Sequence, residues 1–325
     1  AGPGSGAGQA GGGGGSATGP GVPATPPHHC VVPAKPGGGY ELTCQLARQA
    51  LQPAGAGLAL VYQPGGIGAL VYHEVVRGQR GASLELIAFS SGTLLNLAQG
   101  RFGRHEPGKL RWVAALARDH GVVAVHRDAP WPDLPALLAE LGTRPGAVGF
   151  AAGGTIGSQD WMKAALLARA AGLSHKAVRV VAFEGGGDAV QALAGRHVQV
   201  LCGDAAELTR QIARGAPLRL LAVLAAQRLG GALAGVHTAR EQGVDLVWPI
   251  LRGLYTGAGT PPAMAADWGR QLVAGARRAE VMHELDRLAL QPLALTGAEL
   301  DRAVADELAR YRQLAQSFGL RVPPG

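Results

Sequence analysis

The chain has 325 residues, 47% of them apolar and 16% charged, with a formal charge of +7. That length allows a sizeable core and two lobes of ordinary domain size, and no uncharged apolar run reaches the roughly 18 residues that span a bilayer. The arginines that dominate the positive charge are scattered singly or in pairs, without a dense cluster or interleaved aromatics. Nucleic acid is therefore not expected as a partner, and a small acidic ligand fits the charge balance as well.

Residues 1–27 carry no charge and almost no large apolar side chain. A Gly/Pro/Ser/Ala segment of this kind cannot bury a core and is expected to be a disordered tether. The chain opens at Ala1 with no visible signal peptide, as expected of a mature or trimmed form. A G-x-G-x-x-G match at Gly6, Gly8 and Gly11 has neither a strand before it nor a helix after it, so it carries no dinucleotide signal. From His28 onward short apolar strands alternate with helical patterns, which predicts an α/β architecture with mostly parallel sheets. The predicted strands are residues 30–34, 59–62, 84–89, 122–126, 147–151, 178–183, 198–202, 218–224 and 253–256. Helical patterns fill 41–51, 134–141, 159–171 and 188–194. The last helix has Thr296 and Glu299 at capping-box spacing, with Leu300, Val304, Leu308, Tyr311 and Phe318 on one face before Gly319 stops it.

Three of these strands share one design, breaking into glycines that open a helix. The turns are VVPAKPGGGYE at Val31–Glu41, VGFAAGGTIGSQDW at Val148–Trp161 and VVAFEGGGD at Val180–Asp188. A helix N-terminus leaves N–H groups unpaired and carries partial positive charge, and glycine lets a ligand approach that backbone closely. Three such ends predict a site for a small, multiply charged anion, enclosed between two lobes if the turns face each other beyond their strands' carboxyl ends. Ser90-Ser91-Gly92-Thr93 follows a fourth strand and adds hydroxyl donors. Asp204 reads as a helix cap rather than a ligand contact, and Arg252 as a surface arginine.

Enzyme signatures are missing: there is no Walker A sequence and no G-x-S-x-G elbow. His73-Glu74-Val75-Val76 begins like a zinc-protease helix, but Arg77 stands where the second histidine is required. His28-His29-Cys30 is poor ligand geometry and reads as a tether end, so no metal is expected. Cys30 and Cys44 read as buried thiols in a cytosolic chain. In an exported one they could form a short-loop disulfide worth about 3 kcal/mol in the chain-entropy model. Cys202 reads as a core residue.

Six segments together resemble the substrate-binding proteins of tripartite tricarboxylate transporters, also called Bug receptors, and most closely their tricarboxylate-binding branch. They are CVVPAKPGGGYELTC (30–44), YQPGGIGALVY (62–72), FSSGTLLNLAQGRFGR (89–104), GGTIGSQDWMKAALLARAAG (153–172), VAFEGGGDAVQALAG (181–195) and TAREQGVDLVWPILRGLY (238–255). The similarity runs in order from about Cys30 to Leu320. It implies a type II periplasmic binding-protein fold: two α/β lobes joined by two crossover strands, with a cleft between them. Residues 28–125 plus 251–325 would form lobe one and 126–250 lobe two.

The resemblance further implies a monomeric periplasmic receptor. It would capture a citrate-like tricarboxylate or related organic acid and deliver it to a membrane permease, with no cofactor and no catalysis. A sensor subunit signalling to a membrane kinase is the alternative reading. An enzyme on this fold would need a base and nucleophile pair that the sequence does not offer. Family ligand contacts carried over by position fall at Gly38, Gly39, Tyr40, Ser90, Ser91, Thr93, Gly154, Thr155, Ser158, Gln159, Gly186, Gly187 and Asp204. Asp204 is expected to face the cleft and orient water or cap backbone N–H groups rather than touch a ligand carboxylate. The exported compartment favours a Cys30–Cys44 disulfide with Cys202 reduced and buried. Two departures stand out: many relatives have Gly-Gly-Ser or Ser-Gly-Gly where this chain has Ser90–Thr93, and a small residue where it has Cys202.

Overall fold

The computed structural model describes Gly2 and residues 25–52, 57–80, 84–101, 103 and 105–323. Apart from Gly2 and residues 25–27, the expected tether lies outside the described residues. The first part of the chain alternates β1 (His29–Val32), α1 (Gly39–Leu51), β2 (Ala59–Tyr62), α2 (Ala69–Val76), β3 (Glu85–Ser90) and α3 (Ser91–Gln99). Strand β4 (Leu110–His120) then runs through Gly121 into β5 (Val122–His126). There follow α4 (Leu134–Thr143), β6 (Gly149–Gly153), α5 (Gln159–Ala170), β7 (Arg179–Phe183), α6 (Gly186–Ala194), β8 (Val200–Leu201), α7 (Ala205–Ala213) and β9 (Leu218–Val223). The chain closes with β10 (Pro249–Gly257), α8 (Pro262–Ala276), α9 (Ala279–Arg287), β11 (Gln291–Leu295) and α10 (Gly297–Ser317).

These strands form two sheets, one ordered β11-β4-β10-β3-β1-β2 and the other β7-β6-β8-β5-β9. The chain leaves the first sheet at Gly121 and re-enters it at β10, so two connections join the α/β units. Gly121 sits at a close approach between the units: a Cβ there would lie 2.8 Å from Lys163 Cδ and 3.0 Å from Leu224 Cδ1.

The expectation of mostly parallel sheets is corrected. β1–β2, β1–β3, β6–β7 and β6–β8 are parallel, but β10 pairs antiparallel with β3 and β4, β11 with β4, and β5 with β8 and β9. Strands that arrive from the other unit enter against the local direction, which a βαβ reading does not foresee.

Helices cover both faces of the first sheet, and β3 shows it residue by residue. All six of its residues are buried. Ile87 and Phe89 pack on one side with Tyr72 and Leu94, while Leu86 and Ala88 pack on the other with Cys44 and Trp268. Alternate side chains of a strand point to opposite faces, so a strand apolar throughout must be covered twice.

Several local expectations shift. The predicted strand 253–256 is the core of a longer one, Pro249–Gly257. Strands β4 and β11 and helices α2, α3, α7, α8 and α9 go beyond the predicted set. Thr296 occupies the N-cap of α10, but its side chain makes no capping hydrogen bond. The capping box lies instead at α3, where the Ser90 hydroxyl accepts from Gly92 N at 3.1 Å and Ser90 N donates to Thr93 Oγ1 at 3.3 Å. Cys30 and Cys44 form a disulfide with their Cα atoms 5.7 Å apart, tying β1 to α1, and Cys202 is a buried free thiol.

Candidate functional site

A cleft of about 340 Å³ is lined by residues from both units. Its wall is built from helix starts, because helices that follow strands begin beyond the strands' carboxyl ends. The N-cap residues of α1 (Gly38), α3 (Ser90), α5 (Ser158), α6 (Gly185) and α7 (Asp204) all line it. Gly38 and Gly185 have no side chain with which to cap, so the first N–H groups of α1 and α6 have no intrahelical partner. Each helix end also contributes about half a unit of positive charge.

The floor is a buried ionic cluster. Arg252 lies on β10 in register with Ser90 of β3. Its Nε and one terminal nitrogen donate to Asp119 Oδ2 at 3.0 and 2.8 Å, and the same terminal nitrogen donates to Asp204 Oδ2 at 2.9 Å. Lys163, fully buried on α5, reaches Asp204 at 3.1 Å, Asp160 at 3.2 Å and the Gly203 carbonyl at 2.8 Å. Asp160 in turn accepts from Gly153 N at 2.7 Å. Burial pushes Asp160 up to about 6 against the pull of Lys163. Burial acts upward on Asp204 too, but Lys163 and Arg252 together hold it below the ordinary carboxylate range. Two cations thus face three aspartates, and the floor has no surplus positive charge with which to hold an anion. Backbone N–H groups and hydroxyls are the donors left for that task.

Nine of the residues expected at the site line the cleft: Gly38, Gly39, Tyr40, Ser90, Ser158, Gln159, Gly186, Gly187 and Asp204. Four do not. The Ser91 hydroxyl turns away, donating to Glu307 and accepting from Leu251 N at 2.7 Å. Thr93 is buried behind Tyr40, its Oγ1 lying 2.8 Å from the phenol oxygen. Gly154 spends its N–H on the Phe183 carbonyl at 2.6 Å, and Thr155 is exposed outside the lining. Tyr40 bridges Thr93, Ser90 and the Ile67 carbonyl, which fixes the hydroxyl group of the first wall. Gln159 accepts from Trp248 Nε1 at 2.8 Å through Oε1, which orients its amide nitrogen toward Gly92.

Two expectations are corrected here. Arg252 is 2% exposed and belongs to the cluster, not the surface. Asp204 occupies an N-cap position without capping, because its two oxygens are taken by Lys163 and Arg252. Asp119, Asp160, Lys163 and Glu207 were not foreseen; the three-residue spacing of Asp160 and Lys163 on one helix face was the only hint in the sequence. Close packing needs the glycines as well. A Cβ on Gly39 would stand 2.5 Å from the guanidinium carbon of Arg252, and one on Gly186 would stand 2.9 Å from the Glu207 carboxyl carbon.

At the mouth, Lys35 lies 3.4 Å from both Glu184 and Asp188, and Arg210 donates to the Gly37 carbonyl at 2.7 Å. Gln99 Nε2 donates to the Gly157 carbonyl at 2.8 Å, so the two units touch across the cleft. Among the described residues no group of three or more His, Cys, Asp or Glu is arranged to hold a metal, and no helix is long and apolar enough to cross a membrane.

Solved structures share this architecture. The MatC protein of Rhodopseudomonas palustris with bound malate is 22% identical, with a TM-score of 0.77 over 89% of this chain and 98% of its own. A second R. palustris protein, solved with adipate, is 20% identical, with a TM-score of 0.83 over 91% and 98%. The periplasmic binding protein BugD is 19% identical, with a TM-score of 0.80 over 91% and 98%. At these identities the likeness shows the fold, the two-lobed α/β architecture of periplasmic binding proteins. No curated protein sequence matches the chain. The family model described as the tripartite tricarboxylate transporter family receptor, TctC, matches residues 102–320. With more than half of its length matched, the chain belongs to the tripartite tricarboxylate transporter receptor family.

Proposed function

We propose that this protein is a periplasmic receptor that captures a di- or tricarboxylate, citrate or a close relative, and delivers it to the membrane permease of a tripartite transporter. The observation that carries the reading is the convergence of five helix N-termini on a cleft whose own ionic cluster has no spare cation. Such a wall favours carboxylates over sugars or cationic amino acids. The malate and adipate held by two proteins of the same fold support a small organic acid. The Cys30–Cys44 disulfide suits an oxidising compartment.

In this reading Gly38, Gly39, Tyr40 and Ser90 hold the acid from one side. Ser158, Gln159, Gly186 and Gly187 hold it from the other, while Asp204 keeps Lys163 and Arg252 neutralised beneath it. Because the donors are split, an acid satisfies both sets only in the closed state and shifts the population towards it. The two connections near residues 121 and 248 are the hinge that closure uses. A thermal-shift screen tests the reading: an acid at 100 times its dissociation constant should stabilise by about 2.7 kcal/mol. Citrate, malate or adipate should raise the melting temperature while glucose and arginine leave it unchanged. A response to a neutral or cationic solute with none to any of the acids would refute the proposal.

A further inference from the structure

Glu207 is a buried acid of the cleft that stands outside the ionic cluster, whereas Glu184 and Asp188, which also line it, are exposed and pair with Lys35 at the mouth. It lies on the first turn of α7, lines the cleft, is 5% exposed, and its Oε1 is buried without a hydrogen-bond partner. Its carboxyl group packs beneath the start of α6, where only a glycine at position 186 leaves room for it. The charges acting on it come from three elements. Asp204 and Arg210 share α7, Asp160 stands on α5 and Arg252 on β10, while Lys163 and Asp119 are committed to Asp160, Asp204 and Arg252. A buried carboxylate with no partner is costly, so the group retains its proton, and a buried O–H then needs an acceptor.

We propose that Glu207 is a ligand-binding residue whose neutral carboxyl group donates its O–H to a carboxylate oxygen of the bound acid, so that capture is coupled to one proton on the protein. The proposal rests on the carboxylate-receptor reading above and adds a specificity device to it. The N–H groups of α6 accept any anion, whereas a carboxylic acid donor rewards a strong, charged acceptor and repels the same ligand once it ionises. Geometry and electrostatics agree: burial, reinforced by Asp204 and Asp160 and only partly offset by Arg252 and Arg210, pushes Glu207 up to about 8. The neighbours do not titrate in the same window. Asp160 is pushed up to about 6 only, Asp204 is held low, and burial carries Cys202 up to about 12.

The test is calorimetry on the whole protein from pH 6.5 to 9.5, with whichever of citrate, malate and adipate gives the largest thermal shift. If Glu207 must stay protonated, affinity should be nearly level to pH 7 and fall about 30-fold by pH 9.5. Glu207→Gln, whose amide still donates, should bind at pH 7 and lose the fall. A variant that keeps the wild-type fall, or a wild type with no fall, overturns the role of Glu207 and leaves the receptor reading standing. Should the variant fail to fold, proton uptake by the wild type decides, measured in buffers of different ionisation heat. Binding at pH 8 should take up about half a proton, and zero uptake overturns the proposal. If no acid binds at any pH, the receptor reading itself fails and the Glu207 assignment falls with it.

Discussion

Arg252→Met offers the sharpest test of the buried cluster. Methionine keeps most of the side-chain volume and removes the charge, so the effect reads the ionic pairing rather than a cavity. Asp119 is fully buried, and the guanidinium supplies both donors to its Oδ2. Its other oxygen keeps His120 N at 2.8 Å and Ala206 N at 3.2 Å. Asp204 still has Lys163, so Asp119 bears the loss. Breaking a buried pair by removing one partner costs about 3–5 kcal/mol. A second route gives the same size. Burial already raises Asp119 with the guanidinium in place, and removing the guanidinium takes away the main opposing pull, so the carboxyl takes up a proton. For a group with an unfolded pKa near 3.9 the added cost is at most about 4 kcal/mol at pH 7 and about 1.5 kcal/mol at pH 5. Thermal unfolding followed by circular dichroism should therefore show a drop on the order of 10 °C at pH 7 that shrinks by more than half at pH 5. Adding Asp119→Asn should restore much of the loss. A variant that unfolds within about 2 °C of wild type at pH 7 would show that the cluster does not hold the two units as described.

Gly39→Ala should destabilise by about 1–3 kcal/mol and abolish acid binding, because the new methyl meets a guanidinium pinned by Asp119 and Asp204 and cannot displace it; wild-type affinity in calorimetry would contradict this. The double change Cys30→Ala with Cys44→Ala removes a cross-link between residues 14 apart and should cost about 3 kcal/mol, read as a lowered denaturation midpoint. Glu207 is raised from 4.5 to about 8, so the empty protein holds a proton there that the unfolded chain releases, and the stability this contributes is lost as pH rises from about 4.5 through 8. Glu207→Gln should gain on the wild type across that window by a few kcal/mol on the order of magnitude, and a melting-temperature difference that is the same at pH 5 and pH 8 would refute it. His120 has the opposite sign: burial, aided by Arg118, lowers it to about 4, so its stabilising contribution is present above pH 6.5 and lost as pH falls towards 4. His120→Gln should flatten that acid limb of the stability curve.

Much of the site was readable from local rules. The glycine runs at 37–39, 153–154 and 185–187 mark helix starts by backbone chemistry alone, and a helix start is an anion site wherever it lies. The alternation of short apolar strands with helical patterns is likewise local and marks an α/β chain, while the resemblance to the receptor family rests on six particular segments of the sequence. What escaped was everything decided by contacts distant in sequence. Strand β4 carries Arg111, Arg118 and Asp119 around the apolar run Trp112–Ala117, whose alanines suit a helix as well as a strand, yet among the described residues it is the longest strand. Arg252 looks like a surface residue until β10 lies between β3 and β4, when its partners arrive from 133 and 48 positions away. The same holds for the sheets: crossover strands run antiparallel because of where the chain returns, and no periodicity records that. Periodicity and turn chemistry act over a few residues, so one dimension determines them. The sign and cost of a buried charge depend on which other charges share its low-dielectric surroundings, and only the folded chain brings those together.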